Sequence, residues 1–182
     1  MQLQPDKLSN EWVTLVPLQE TDFERLFQVA SDPLIWEQHP NKLRYQRPVF
    51  ENFFKGAIES GGAFIILDSS SGEPIGSTRF YDYNDADQSV KIGYTFYARS
   101  CWGKAFNRSA KTLMINYAFQ FVQTINFDIG SGNIRSQKAI ERIGAVKTGE
   151  EEVTYFGETP TLNFRYTITK NQWHKTAATD LR

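Results

Sequence analysis

One cysteine, two histidines and no long apolar run are the scarcities of this 182-residue chain. Cys101 cannot close an intramolecular disulfide, and no Cys/His pair has the spacing that holds zinc, so neither a disulfide framework nor a metal site is expected. A lone thiol fits a reducing cytoplasm. No apolar run approaches the roughly 18 residues of a membrane span, and the polar stretch from Gln2 to Asn10 lacks the apolar core of a signal peptide. The expectation is a soluble, cytoplasmic chain with no membrane partner. Excess charge is also missing: 20 Lys and Arg stand against 21 Asp and Glu. A balance this even offers no field to draw a polyanion, so nucleic acid is not an expected partner. Internal repeats and low-complexity linkers are absent too. What the chain does have is aromatic side chains, 14% of it. They suit a pocket-bearing enzyme, a plain core or the surface of a possible homodimer.

The length and a hydrophobic content of 40% point to one domain, read here as residues 1–175 with a C-terminal tail over 176–182. Val13 to Val16 reads as a strand ending at Pro17, and Thr21 caps a helix that turns Phe23, Leu26, Phe27 and Ala30 inward. Leu34 to Arg47 reads as a loop or broken helix. A second helix spans about Pro48 to Ser60 and stops at Gly61-Gly62. Three strands follow, Ala63 to Asp68, Pro74 to Tyr83 and Ser89 to Phe96, joined by turn-forming segments. Farther on come a helix from about Trp102 to Val122, a strand from Ile125 to Gly130 and a helix from Asn133 to Ile143. A final hairpin of Val146 to Phe156 and Leu162 to Lys170 turns around Gly157-Glu158.

The most informative segment is Ile92 to Ala105, which reads as strand, tight turn and helix start. The first amides of a helix lack intrahelical partners and carry about half a positive charge between them, so an element of this kind binds phosphate. Gly103 and the small Ala105 let a diphosphate approach without meeting a bulky side chain. Behind the turn, Leu113, Tyr117 and Phe121 share a helix stripe, with Ala110, Met114, Ala118 and Val122 alongside. Asn133-Ile134-Arg135-Ser136 then opens the later helix, which ends at Gly144-Ala145.

Ser100-Cys101-Trp102-Gly103-Lys104-Ala105, followed by Asn133, Ser136 and Gly144-Ala145, resembles the pyrophosphate motif and the later Asn-helix of the GNAT acyl-coenzyme A N-acyltransferases. The nearer likeness, over roughly residues 8–175, is to the branch containing the ribosomal-protein N-terminal acetyltransferases. The resemblance implies an α+β fold, with a mostly antiparallel twisted sheet of about seven strands and about four flanking helices, splayed between strands four and five. Ser100 stands where the motif has Gln or Arg, and Ala145 where it has Phe. Lys91 stands where many relatives place a Glu, so a carboxylate base is absent there.

The same resemblance implies an acetyltransferase that uses acetyl-CoA as donor and a primary amine as acceptor, either a protein N-terminus or a small molecule. The alternative is a GNAT-like module that binds acyl-CoA without turnover. The arm of the cofactor would lie in the splay against Thr95, Phe96, Tyr97 and Ala98, with its acyl carbonyl near Tyr94. Amides from Trp102, Gly103, Lys104, Ala105 and Phe106 would hold the pyrophosphate. Asn107 is either a cofactor contact or a local hydrogen-bonding group. Asn133 either caps its helix or meets the pantetheine, and Ser136 is the candidate proton donor to the leaving thiolate. Direct attack of an amine on a thioester requires an uncharged amine, a polarised carbonyl and a proton for sulfur. Cys101, lacking a flanking base, is not read as a nucleophile. Asp82, Glu151, Glu152 and Tyr94 through water are the candidate bases. Trp36, His39, Tyr45, Phe80, Tyr81 and Tyr155 are the candidates to line the acceptor pocket.

Overall fold

The structure, a computed structural model, describes residues 1–156 and 158–179. Its eight-stranded sheet has the order β1-β2-β3-β4-β5-β6-β8-β7. The strands are β1 (Leu8–Ser9), β2 (Val13–Pro17), β3 (Ala63–Asp68), β4 (Pro74–Asn84), β5 (Ser89–Tyr97), β6 (Thr124–Gly130), β7 (Val146–Val153) and β8 (Thr161–Thr169). All neighbours run antiparallel except β5 and β6, which are parallel. The expected sheet is therefore present, with the two-residue strand β1 added at its edge. No apolar run announces β1, because its place is fixed by pairing with β2.

The helices are α1 (Phe23–Ala30), α2 (Pro33–Trp36), α3 (Arg47–Glu59), α4 (Phe106–Ala118), α5 (Ile134–Glu141) and α6 (Lys170–Thr179). The extra members are α2, a single turn started by Pro33 with Asp32 accepting from the Leu34 N–H, and α6. α6 runs on to Thr179, into the stretch read from the sequence as a tail, while residues 180–182 lie outside the described residues. The β7–β8 hairpin forms, but Gly157, around which it was expected to turn, is also outside them. Two apolar layers sandwich the sheet. Side chains of α4 and α5 pack on one face with Phe80, Ile92, Phe127 and Tyr166, and those of α1, α2 and α3 pack on the other with Ile65 and Phe96. Among the described residues no helix is long and apolar enough to cross a membrane.

Two irregularities shape the centre of the sheet. β5 pairs with β6 only from Ser89 to Lys91, against Thr124 to Asn126, and beyond that the strands part. On the opposite side, Ser77 pairs with Phe96 but Arg79 with Gly93, so β5 holds one residue more than β4 across this step. That bulge is taken up by Tyr94 at φ +53°, a left-handed position a tyrosine rarely occupies. It inverts the alternation of β5. Val90 and Ile92 face the α4 layer, whereas Tyr94 and Phe96 face the α3 layer.

Candidate functional site

A cleft of about 520 Å³ occupies the gap where β5 and β6 part, walled by the start of α4, by α5 and by the His39 to Arg44 segment. Ile92 to Tyr97 form one edge and Phe127 to Gly130 the other. Past Lys91 the β5 backbone has no ladder partner on its β6 side among the described residues, which leaves room for an extended ligand, although the Gly93 carbonyl accepts from the Thr95 hydroxyl at 3.3 Å and the Tyr97 carbonyl from the Trp102 indole N–H at 3.2 Å.

At one end of the cleft lies the turn into α4. Gly103 has φ +72° and a Cβ built on it would meet nothing within 4 Å, so the turn needs glycine and leaves room beside it. The first intrahelical bond here runs from the Ser109 N–H to the Ala105 carbonyl at 2.8 Å, leaving the Gly103 amide and those from Ala105 to Arg108 for a ligand, whereas the Trp102 and Lys104 N–H groups are taken up by the Arg99 and Cys101 carbonyls at 3.0 and 3.4 Å. No acidic residue sits in the first turn of α4, while Lys104 and Arg108 line the cleft there. Cations at a helix N-terminus oppose the helix dipole, and an anion bound between them would reverse that penalty.

Along the wall, the Lys111 ammonium is buried on α4 and donates to Thr95 Oγ1 at 2.7 Å. Burial alone pushes its pKa down to about 7. Asn107, one turn earlier, and Tyr97, two residues after Thr95, also line the cleft, and each carries a buried polar atom without a hydrogen-bond partner, Asn107 Oδ1 and Tyr97 Oη. These orphaned atoms, the open turn at Gly103 and the cations beside it fit an anionic ligand with a polar arm. Across the cleft, Asn133 Oδ1 caps α5 by accepting the Ser136 N–H at 3.1 Å, and both residues line the wall. Arg135 stacks its guanidinium 3.7 Å from the Trp102 ring centre and donates to the Ile35 carbonyl, tying α5 to α2 at the mouth.

The far end is aromatic and charged. Tyr94 sits edge-to-face between Tyr81 and Tyr155, with centroids 5.1 and 5.4 Å away. Desolvation holds the Tyr94 phenol above its usual range, so it is a hydrogen-bond donor there rather than a base. Arg44 is held by Glu158 through two bonds of 2.9 and 2.8 Å and lines the cleft with His39. Burial and the Arg44 and Arg135 cations hold His39 at about 3, so its imidazole is neutral. Asp128, on β6, is bound by Lys91 at 2.8 Å and Arg165 at 3.0 Å.

The structure brings Tyr94, Thr95, Phe96, Tyr97, Trp102, Gly103, Lys104, Ala105, Asn107, Asn133, Ser136, His39 and Tyr155 to the cleft. It draws the others away, for identifiable reasons. The Ala98 N–H bonds to Ile75 and its carbonyl to Cys101, so its backbone is already committed. The Phe106 ring turns outward to meet Trp12 edge-on at 5.9 Å, which leaves its backbone N–H, the group expected to serve the site, at the start of α4. Trp36 is fully buried against Phe96 and Phe53, behind the wall rather than in it. Tyr81 stands behind Gly93, and Phe80 points into the α4 layer against Phe64. Tyr45 packs in the α3 layer. Of the candidate bases, Asp82 and Glu151 are ion-paired to Lys91 and Arg165, and Glu152 is exposed. Sequence reading passed over Lys111, Arg44, Arg135 and Asp128. Lys111 had a signal: it interrupts the buried face of α4 between Ala110 and Met114.

Residues 13–146 match a family model described as acetyltransferase (GNAT) domain. Among solved structures, a GCN5-related N-acetyltransferase from Brucella melitensis is 18% identical with TM-score 0.81, covering 96% of this chain and 85% of that one. Mycobacterium smegmatis RimJ in complex with CoA-disulfide is 17% identical with TM-score 0.73, covering 97% and 95%. Spermidine N-acetyltransferase from Vibrio cholerae, in complex with CoA and spermine, is 18% identical with TM-score 0.69, covering 91% and 99%. A comparison with curated proteins finds no match.

Proposed function

The chain belongs to the GNAT acetyltransferase family, and from that premise we propose that it moves an acetyl group from acetyl-CoA to a primary amine by direct attack in a ternary complex. The observation that carries this reading is the open, cation-flanked turn at Gly103, set at the end of the gap between β5 and β6. The amides at the start of α4 bind the pyrophosphate, and Lys104 and Arg108 offset its charge. Free backbone groups of β5 align the arm as a strand would be aligned. Acetyl-CoA supplies the thioester.

Tyr94 donates a hydrogen bond at the acyl end, where its raised pKa keeps the proton on the phenol. Ser136, at the start of α5, gives a proton to the departing sulfur. The acceptor enters between His39, Arg44 and Tyr155 as a small-molecule amine or a protein N-terminus. His39 stays neutral there and adds no charge to repel an ammonium. The lone, buried Cys101 supports a cytoplasmic setting.

Calorimetric titration with acetyl-CoA tests the reading, using the wild type and Gly103→Glu, which sets a carboxylate where the pyrophosphate belongs. Wild-type binding with about a hundredfold or greater loss in the variant is expected. Absence of binding to the wild type would overturn it. Thiol release across a panel of amines then separates an enzyme from a module that only binds.

A further inference from the structure

Three buried side-chain atoms among the described residues lack a hydrogen-bond partner, and two of them, Asn107 Oδ1 and Tyr97 Oη, belong to the same wall of the cleft. Folded proteins leave few such atoms, so a pair at one place calls for a reason. Their arrangement supplies one. After the bulge, Thr95 and Tyr97 point to the α4 side of β5, about 7 Å apart along the strand. Asn107 and Lys111 lie one turn apart on the facing side of α4, about 6 Å along its axis. Strand and helix run in opposite senses from the turn at Gly103. Position 97 therefore sits level with 107 near the turn, and 95 with 111 deeper in, where the Lys111 ammonium already bonds Thr95 Oγ1 at 2.7 Å and Thr78 Oγ1 at 3.4 Å. The wall is a two-step polar ladder with an unused acceptor at Asn107, an unused donor at Tyr97 and a spare ammonium hydrogen at Lys111.

An amide offers one N–H and one carbonyl, and the arm of coenzyme A carries two amides in series beyond its pyrophosphate. We propose that Asn107, Tyr97 and Lys111 form a side-chain subsite for those amides. Asn107 Oδ1 accepts an amide N–H, while Tyr97 Oη and Lys111 Nζ donate to the carbonyls. The subsite rests on the reading of the cleft as a coenzyme A site and adds the groups that grip the arm between the pyrophosphate turn and the acyl end.

Lys111 also gives the subsite a pH signature. Its pKa near 7 comes from burial. Tyr97 and Cys101, the titratable groups nearest the turn, are both held above their usual ranges by desolvation and stay neutral. The charged groups lining the same cleft are Lys104 and Arg108 at the turn, Arg135 on α5 and Arg142 just past its end, Arg44 in the segment before α3, and Asp128 on β6, while His39 beside Arg44 is neutral. A carbonyl receives a stronger bond from an ammonium than from an amine, so the arm favours protonated Lys111 and its binding draws in a proton.

The test is calorimetric titration with dephospho-coenzyme A between pH 6.5 and 8.5, in two buffers of different ionisation heat. This probe omits the 3′-phosphate, whose own titration near pH 6 would interfere. Expected for the wild type are proton uptake near pH 7.5 and affinity that falls about three- to tenfold over the range. Lys111→Met removes both the uptake and the pH slope. Tyr97→Phe and Asn107→Leu each weaken binding about three- to tenfold while raising the denaturation midpoint, because each deletes an unpaired buried polar atom. Those two variants carry the test should Lys111→Met fail to fold. Variants that keep wild-type affinity and pH profile would overturn the subsite while leaving the cofactor reading intact. A wild type that binds neither dephospho-coenzyme A nor acetyl-CoA would overturn both.

Discussion

The guanidinium carbon of Arg79 stands 3.8 Å from the centre of the Tyr94 ring. Both groups are costly to hold where they are. Tyr94 occupies left-handed backbone at φ +53°, and Arg79 is buried, with one Nη donating to the Gly56 carbonyl and its Nε unpartnered. Burial lowers the Arg79 pKa to about 10, which still leaves it cationic at neutral pH. The ring face is thus part of the solvation of a buried charge, and the charge helps to keep the ring over the aromatic end of the cleft.

An asymmetry between two substitutions follows. Tyr94→Leu leaves a buried cation without its ring and is expected to cost about 3 kcal/mol or more of unfolding free energy in urea at pH 7.5. Arg79→Met removes the charge itself and is expected to change stability by no more than about 1 kcal/mol. Equal losses from the two would mean that the pair does not act as a cation on a ring.

Asn133 combines a cap with a place on the cleft wall. Asn133→Ala is expected to lose about 1 kcal/mol of stability together with acetyl-CoA affinity. Asn133→Asp keeps an oxygen to cap α5 and so keeps stability, but it lacks the amide N–H and adds a negative charge, so affinity falls about tenfold. Unfolding and calorimetry on the same two variants separate the roles. Unchanged affinity in Asn133→Asp would leave only the cap.

His39 titrates at about 3 in the folded protein against an ordinary value near 6.5. Between these values the unfolded chain binds more protons, so stability falls as pH drops from about 6.5 to 3 and levels off below. His39→Phe is expected to flatten that part of the profile measured by urea unfolding. The pH dependence of acetyl transfer should show no ionisation near 6.5 that disappears in this variant.

Where local backbone chemistry dictated structure, the sequence was readable. Gly103 marks a turn only glycine enters cheaply, and Asn133 followed by Ser136 marks a helix start, so one end of the cleft and its α5 wall were visible. The bulge was not. It has no glycine or proline at position 94, and strict alternation sets Tyr94 on the same face as Ile92, whereas the structure turns it to the opposite layer beside Arg79. Placing Phe80 in the acceptor pocket failed for a related reason: a strand alternates, and Arg79 and Tyr81 already take that face. Arg44 was hidden because its partner Glu158 lies 114 residues away. Pairings that distant leave no local periodicity to read.

Lys91 supplies the last prediction. Its ammonium lies 3.0 Å from Asp82, 2.8 Å from Asp128 and 3.9 Å from Glu151, and Arg165 binds the latter two carboxylates. The lysine that stands where many relatives carry a glutamate is thus the centre of a carboxylate cluster and cannot be exchanged alone. Lys91→Glu would set a fourth carboxylate among three with only Arg165 to offset them. Like charges raise carboxylate pKa values, so the folded variant holds more protons than its unfolded chain at mildly acidic pH. Its stability must then fall as pH rises. The expected deficit against wild type is about 2–4 kcal/mol at pH 8, shrinking as pH approaches 5. Urea unfolding at the two pH values measures it. A pH-independent deficit would point to lost packing of the lysine stem instead, and no deficit would show that the cluster does not depend on Lys91.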